Sequence, residues 1–144
     1  MPNAAPGPPS PPKEVDVQDA IAQYPSQAPS LHQTLADLTH AARWDHLHVL
    51  DLGPGASDTA AVGGGAAICG LRPEQRGLEV VWSCGIADRL NNQTFLDIFQ
   101  AVDRLPAERA GQKLLKDHFL LAVLSPDATV VYYSIARGLV KPVN

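Results

Sequence analysis

The stretch Phe119–Gly138, FLLAVLSPDATVVYYSIARG, decides how this chain is read. With His118 it opens on a continuously apolar run to Leu124, the pattern of a strand buried on both faces and central to a sheet. Ser125-Pro126-Asp127-Ala128 suits a type I turn, with proline at the second position and aspartate at the third. Thr129–Ile135 is then a last strand of β-branched and aromatic residues. Alternation sends Val131, Tyr133 and Ile135 to one face, and Val130, Tyr132 and Ser134 to the other. No further strand follows it. A terminal strand of this character at a sheet edge is a liability unless something covers it. Two coverings compete: a helix of the same chain, or another chain.

Working outward, Asn91 or Asn92 can cap a helix whose apolar face is Phe95, Ile98, Phe99, Val102 and Leu105. Pro106 helps end it. Ala107–Lys116 is expected as either a short helical segment or a loop. Leu78–Cys84, LEVVWSC, reads as a strand, and Ala66–Leu71 as another, joined by the turn 72–77. Asp45–Leu52, DHLHVLDL, alternates polar and apolar and reads as a strand with His46 and His48 on one face. Upstream, Ser30 and Gln33 fit a capping box, followed by a helical stripe of Leu31, Leu35, Leu38 and Ala42 ending near Arg43 or Trp44. Val15–Tyr24 is a short helix candidate, broken off by Pro25 and Pro29. Residues 2–12 hold six prolines and almost nothing bulky and apolar, so residues 1–29 are expected as a disordered, proline-rich tail and 30–144 as the domain. The fold class is α/β, a mixed sheet flanked by helices.

The totals narrow the function. The chain has 144 residues and a net charge of −4, with no run of Lys or Arg, a poor primary grip for nucleic acid. Cys69 and Cys84 lack disulfide-scaffold or metal spacing and are expected as reduced, buried thiols of an intracellular protein. The start lacks the apolar stretch of a secretory signal, and the longest apolar run is far short of a membrane span. No cofactor and no metal are expected. His46 and His48 lack an evident third ligand.

One motif points to an enzyme. Val49–Asp58, VLDLGPGASD, resembles the first motif of Rossmann-like S-adenosylmethionine methyltransferases, in which glycines after a strand admit the cofactor. Ser57 stands where a third glycine is usual, and Gly53–Gly65 continues as glycine and alanine rather than as an amphipathic helix. A flexible loop is the competing reading. No G-x-S-x-G nucleophile turn occurs. Asp97, Asp103 and Glu108 read as ordinary surface carboxylates.

The terminal strand, short turn and tandem tyrosine of Phe119–Gly138 resemble the closing signature of the tRNA-splicing endonuclease family. The layout upstream is similar too: a leucine-rich helix ending in a tryptophan (Leu31–Trp44), strands, an L-x-x-N-like helix entry at Leu90–Thr94, a helix, then the hairpin. The likeness covers about residues 30–144 and is closest to the family's small accessory subunits. It implies a fold like the family's catalytic domain. Catalytic members use a tyrosine, a histidine and a lysine in that chain order, converging for acid–base attack by the ribose 2′-hydroxyl. Here no lysine lies between Lys13 and Lys113, no histidine between His48 and His118, and Tyr132 and Tyr133 come after the other candidates. The resemblance therefore implies a non-catalytic structural subunit. Its last strand would pair with a catalytic subunit within a heterotetramer that removes introns from precursor tRNA, touching the RNA only indirectly, and would pair with its own copy in isolation. The interface residues would be Asp127, Val130, Val131, Tyr132, Tyr133 and Ile135. Asp127 is included because related loops dock into a basic pocket of another subunit. The resemblance implies a nuclear location, with a cytoplasmic one, including the outer mitochondrial surface, as the alternative.

Overall fold

The computed structural model describes residues 12–53 and 64–140. A six-stranded mixed sheet runs in the order β1-β2-β3-β4-β7-β8. Its strands are β1 (Lys13–Val15), β2 (Asp45–Gly53), β3 (Gly65–Leu71), β4 (Leu78–Gly85), β7 (His118–Leu124) and β8 (Val130–Ala136). The small strands β5 (Glu108–Arg109) and β6 (Gln112–Lys113) form a separate hairpin. Only β4 and β7 are parallel, joined by a crossover through helix α3 (Asn92–Asp103). Such a pair needs a long connection, which the helix supplies. β7 is central, flanked by β4 and β8, as its unbroken apolar run predicts.

Each face of the sheet has its own core. Helices α1 (Val17–Gln23) and α2 (Ala28–Ala36) cover one face, where Ala20, Leu31 and Leu38 meet Val49, Ile68, Val81, Leu120 and Ala122. Helix α3 covers the other, where Ile98, Phe99 and Val102 meet Val80, Trp82, Phe119 and Leu121. The capping residue of α3 is Asn91, whose side chain accepts from the Thr94 N–H at 3.0 Å while the Thr94 hydroxyl accepts from the Asn91 N–H at 3.2 Å. All five residues of the expected apolar stripe of α3 join this core. Among the described residues no helix is long and apolar enough to cross a membrane.

Several expectations are corrected. Ordered structure begins before Ser30: β1 pairs with β2 through Lys13↔Asp51, Glu14↔Leu50 and Val15↔Val49, and Ala20 of α1 is buried. Sparse apolar residues hid this, because β1 is held by main-chain bonds. Residues 1–11 of the expected tail lie outside the described residues. Pro29 sits in the first turn of α2, where a missing N–H costs nothing, and a 3-10 turn at Pro25–Gln27 leads into the helix. Ser30 is thus inside the helix and caps nothing. Its buried hydroxyl lies 3.1 Å from the Gln27 carbonyl and 3.3 Å from the Ser83 hydroxyl. The helix continues as a π-helical turn, Asp37–Ala41, and ends where Arg43 turns left-handed at φ 57° and the Trp44 N–H donates back to the Leu38 carbonyl. Between Glu108 and Lys113 the chain forms a hairpin rather than a helix, turning through Ala110 and Gly111, both at positive φ.

The Gly-rich segment bears on the methyltransferase-like alternative. β2 and β3 are antiparallel neighbours, with Gly53 opposite Gly65. Cofactor binding by a Rossmann-like motif needs a strand followed by a helix and a parallel return. The antiparallel return denies the methyltransferase-like alternative that geometry. Residues 54–63 of the segment lie outside the described residues. Asp51 of the motif is engaged within the fold: it accepts from the Tyr24 hydroxyl at 2.5 Å and from the Gly53 N–H at 2.8 Å.

Candidate functional site: the β8 edge

β8 pairs with β7 through seven consecutive residue pairs, His118↔Ala136 to Leu124↔Val130, with no shift of register. Its other side has no neighbouring strand among the described residues. Edge strands are commonly guarded by charge, proline, a bulge or shortness. Val130–Ala136, VVYYSIA, carries no charge and no proline, and its pairing has no bulge.

The two tyrosines have opposite fates. Val130 and Tyr132 turn to the α2 face and join its core margin. The Tyr132 hydroxyl donates to Oδ2 of Asp37 in the π-helical turn at 2.5 Å. Burial and then this bond push the phenol well above its ordinary pKa. Val131, Tyr133 and Ile135 turn to the α3 face, opposite Val123, Leu121 and Phe119 of β7. Ile135 is half-buried against the core, whereas Val131 is 41% and Tyr133 52% exposed. The alternation expected from sequence is thus the observed one, and the α3 face is the open one.

Width explains why. Six strands span about 24 Å at ~4.8 Å per step. A single helix is about 10 Å across. On its face of the sheet α3 sets Phe95 and Phe99 on Phe119 of β7 and leaves Val131 and Tyr133 of β8 exposed. Leu96, on the outer side of α3, and Ile86, just beyond β4, are further exposed apolar residues.

The strand ends are fixed. Beyond Ala136, the Arg137 guanidinium donates to the Lys116 carbonyl at 2.7 Å, pairs with Asp103 at the end of α3, and lies over the Phe99 ring, 4.6 Å from its centre. In the β7–β8 turn the Ala128 N–H donates to Ser125 and Ser125 to Thr129, so the chain makes a type I turn followed by left-handed Ala128 at φ 70°. Asp127 is exposed, and its carboxyl accepts from the Thr129 N–H at 3.1 Å, which holds its pKa below the ordinary range. The structure gives this aspartate a role in its own turn.

Elsewhere several chemistry-bearing groups are engaged within the fold. Glu79, fully buried, accepts two bonds from Arg72 at 2.9 and 2.8 Å and one from His118 Nε2 at 2.6 Å. Burial pulls His118 down, but its bonds to Glu79 and Asp117 outweigh this and leave it raised. A bulge in β2, with His46 at φ 56°, exposes His46 and separates it from half-buried His48. No group of three His, Cys, Asp or Glu side chains among the described residues is arranged to hold a metal. Cys69 and Cys84 are free and buried, which pushes their thiols up to about 12 and about 11. Asp37 and Glu79 carry no sequence signal, because Tyr132 and His118, which they bind, lie far along the chain.

A mixed α/β domain ending in a bare tandem-tyrosine strand fits a subunit of the tRNA-splicing endonuclease, and the family comparison establishes that class. Residues 33–144 match the family model described as Sen15 protein, and the chain belongs to that family, the small subunit of the enzyme. No curated protein matches the chain.

Proposed function

We propose that this chain is a non-catalytic structural subunit that pairs through β8 with a catalytic subunit and so supports intron removal from precursor tRNA. The observation that carries the reading is the unguarded edge of β8, seven residues long, with Val131 and Tyr133 exposed beside it. A strand from another chain would satisfy the outward N–H and C=O groups, while its side chains cover Val131 and Tyr133. The α3 face is therefore the partner-facing side, and Tyr132 and Val130 support the strand from beneath. Non-catalytic status is supported by the engagement of the acid–base candidates: Tyr24 with Asp51, Tyr132 with Asp37 and His118 with Glu79. Asp127 remains a candidate for docking of the turn, because its side chain is exposed. The same edge is available to a second copy of the chain when the catalytic subunit is absent. This reading carries a nuclear location for the assembled enzyme.

The test is co-purification with an endonuclease catalytic subunit. Val131→Lys with Tyr133→Glu is expected to abolish co-purification by placing charges on the contact, while the melting temperature of the isolated chain stays within a few degrees. Undiminished co-purification of this double variant would overturn the assignment of the interface. Failure of the native chain to co-purify would overturn the pairing itself.

A further inference from the structure

The opposite flank of the α3 face is also left uncovered by the single helix, and it is handled differently. There the β5–β6 hairpin stands over β1, β2 and β3 and forms with them a half-open cavity of about 330 Å³. Its floor and walls are Leu50, Cys69, Leu78, Leu105 and Leu114. Glu14 of β1 and Arg109 of the hairpin line it too, and they pair with each other at 2.5 and 2.6 Å. That bidentate pair neutralises both charges and offers little free charge to an ion.

Exposed Lys13 of β1 also lines the cavity, and His48 is the acceptor left with capacity there. It stands opposite Cys69 across the β2–β3 ladder and lines the same cavity. Its Nδ1 lies 3.0 Å from the His46 carbonyl. A carbonyl can only accept, so Nδ1 carries the proton and Nε2 of the neutral ring presents a lone pair. Burial lowers the pKa of His48, which keeps the ring neutral near pH 7. No hydrogen bond to Nε2 is seen among the described residues. An apolar chamber with one unused acceptor suits an apolar molecule bearing one donor. A cavity of about 150 Å³ accepts benzene. This one is about twice that size and fits a bicyclic ring.

We propose that the cavity between β1–β3 and the β5–β6 hairpin binds a neutral bicyclic aromatic molecule carrying one N–H or O–H donor, with the donor directed to Nε2 of His48. The site lies across the sheet from β8 and is independent of the subunit pairing. Indole serves as the probe, naphthalene as the matched ring without a donor, and indole-3-acetate as the anionic counterpart. Each is titrated into the full-length chain at pH 7.5 and followed by backbone amide chemical shifts. Indole is expected to give saturable shifts centred on Leu50, Cys69, Leu78 and Leu114, with naphthalene about five-fold weaker for want of one hydrogen bond. Leu114→Trp, which fills the chamber, is expected to abolish both. His48→Leu is expected to erase the preference for indole while retaining naphthalene. Absence of saturable shifts up to the solubility of indole overturns the site, as do shifts centred elsewhere. Equal affinity for indole and naphthalene in the native chain overturns the role of His48. Tighter binding of indole-3-acetate overturns the neutral ligand class.

Discussion

The hydroxyl of Tyr132 and the carboxylate of Asp37 meet at 2.5 Å, joining the edge strand β8 to the π-helical turn that ends α2. Ninety-five residues separate them in sequence. The bond fixes which tyrosine of the tandem pair faces inward, and so leaves Tyr133 facing out.

Tyr132→Phe should therefore act on stability. It removes a hydrogen bond to a charged acceptor in a half-buried site and is expected to cost about 1–2 kcal/mol. Tyr133→Phe should leave chemical denaturation unchanged, because that ring is half exposed. Equal losses for both variants would contradict the assignment of faces.

His118 gives the fold a pH signature. Its folded pKa is raised by Glu79 and Asp117 against the pull of burial. A raised pKa means that its stabilisation is fully present below the unfolded value of about 6.5 and fades as pH rises through the folded value. His48, whose pKa is lowered by burial, works the other way, losing stability as pH falls below the unfolded value. The difference between native chain and His118→Asn isolates the first effect. That difference should be largest near pH 6 and shrink toward pH 9 in denaturation midpoints, and a difference that grows with pH would contradict it.

The turn at Ser125–Thr129 contains a built-in strain. Ala128 adopts a left-handed conformation that a side chain resists by about 1–2 kcal/mol and glycine does not. Ala128→Gly should raise stability by up to about 1 kcal/mol after glycine's extra chain entropy is counted. A lower melting temperature for the variant would argue against this turn geometry.

Gln27 acts as a wedge where β3 and β4 part. Its side chain donates to the carbonyls of Ala66 and Ser83 at 2.9 and 3.1 Å and accepts from the Ala66 N–H at 2.8 Å. Gln27→Ala should cost about 2–3 kcal/mol by leaving part-buried main-chain groups unpaired. Hydrogen exchange should show the Ala66 amide losing protection first. Gly65 is fixed by the same contact: a Cβ there would lie 2.2 Å from Oε1 of Gln27, at a φ of 94° that already excludes ordinary side chains.

Sequence periodicity reported well on what is buried. The run Phe119–Leu124 announced a central strand, and Phe95, Ile98, Phe99, Val102 and Leu105 announced the buried side of α3, because burial writes itself as spacing. The inward and outward sets of β8 were equally readable, although the choice of open face was not. That choice depends on where α3 lies, on Asp37 and on the width of the sheet. β1 was missed because Lys13–Val15 joins the sheet through backbone groups, which leave little trace in side-chain pattern. The Gly-rich motif stayed ambiguous for a related reason: glycines after a strand suit a cofactor-binding turn or a loop between antiparallel strands, and the direction of the next strand decides between them. Glu79 was silent because one carboxylate inside an apolar strand is interpretable only when Arg72 and His118 are seen around it.

A sheet too broad for its helix makes this chain a poor solitary citizen. Each molecule made in excess of its partner carries an open strand, able to template another copy or to be recognised as unfinished. Cells containing it are therefore expected to match its abundance to that of the catalytic subunit, with the surplus cleared by degradation. Withdrawing the partner should shorten the half-life of the chain, and the charge-bearing variant Val131→Lys with Tyr133→Glu is expected to self-associate less than the native chain at equal concentration.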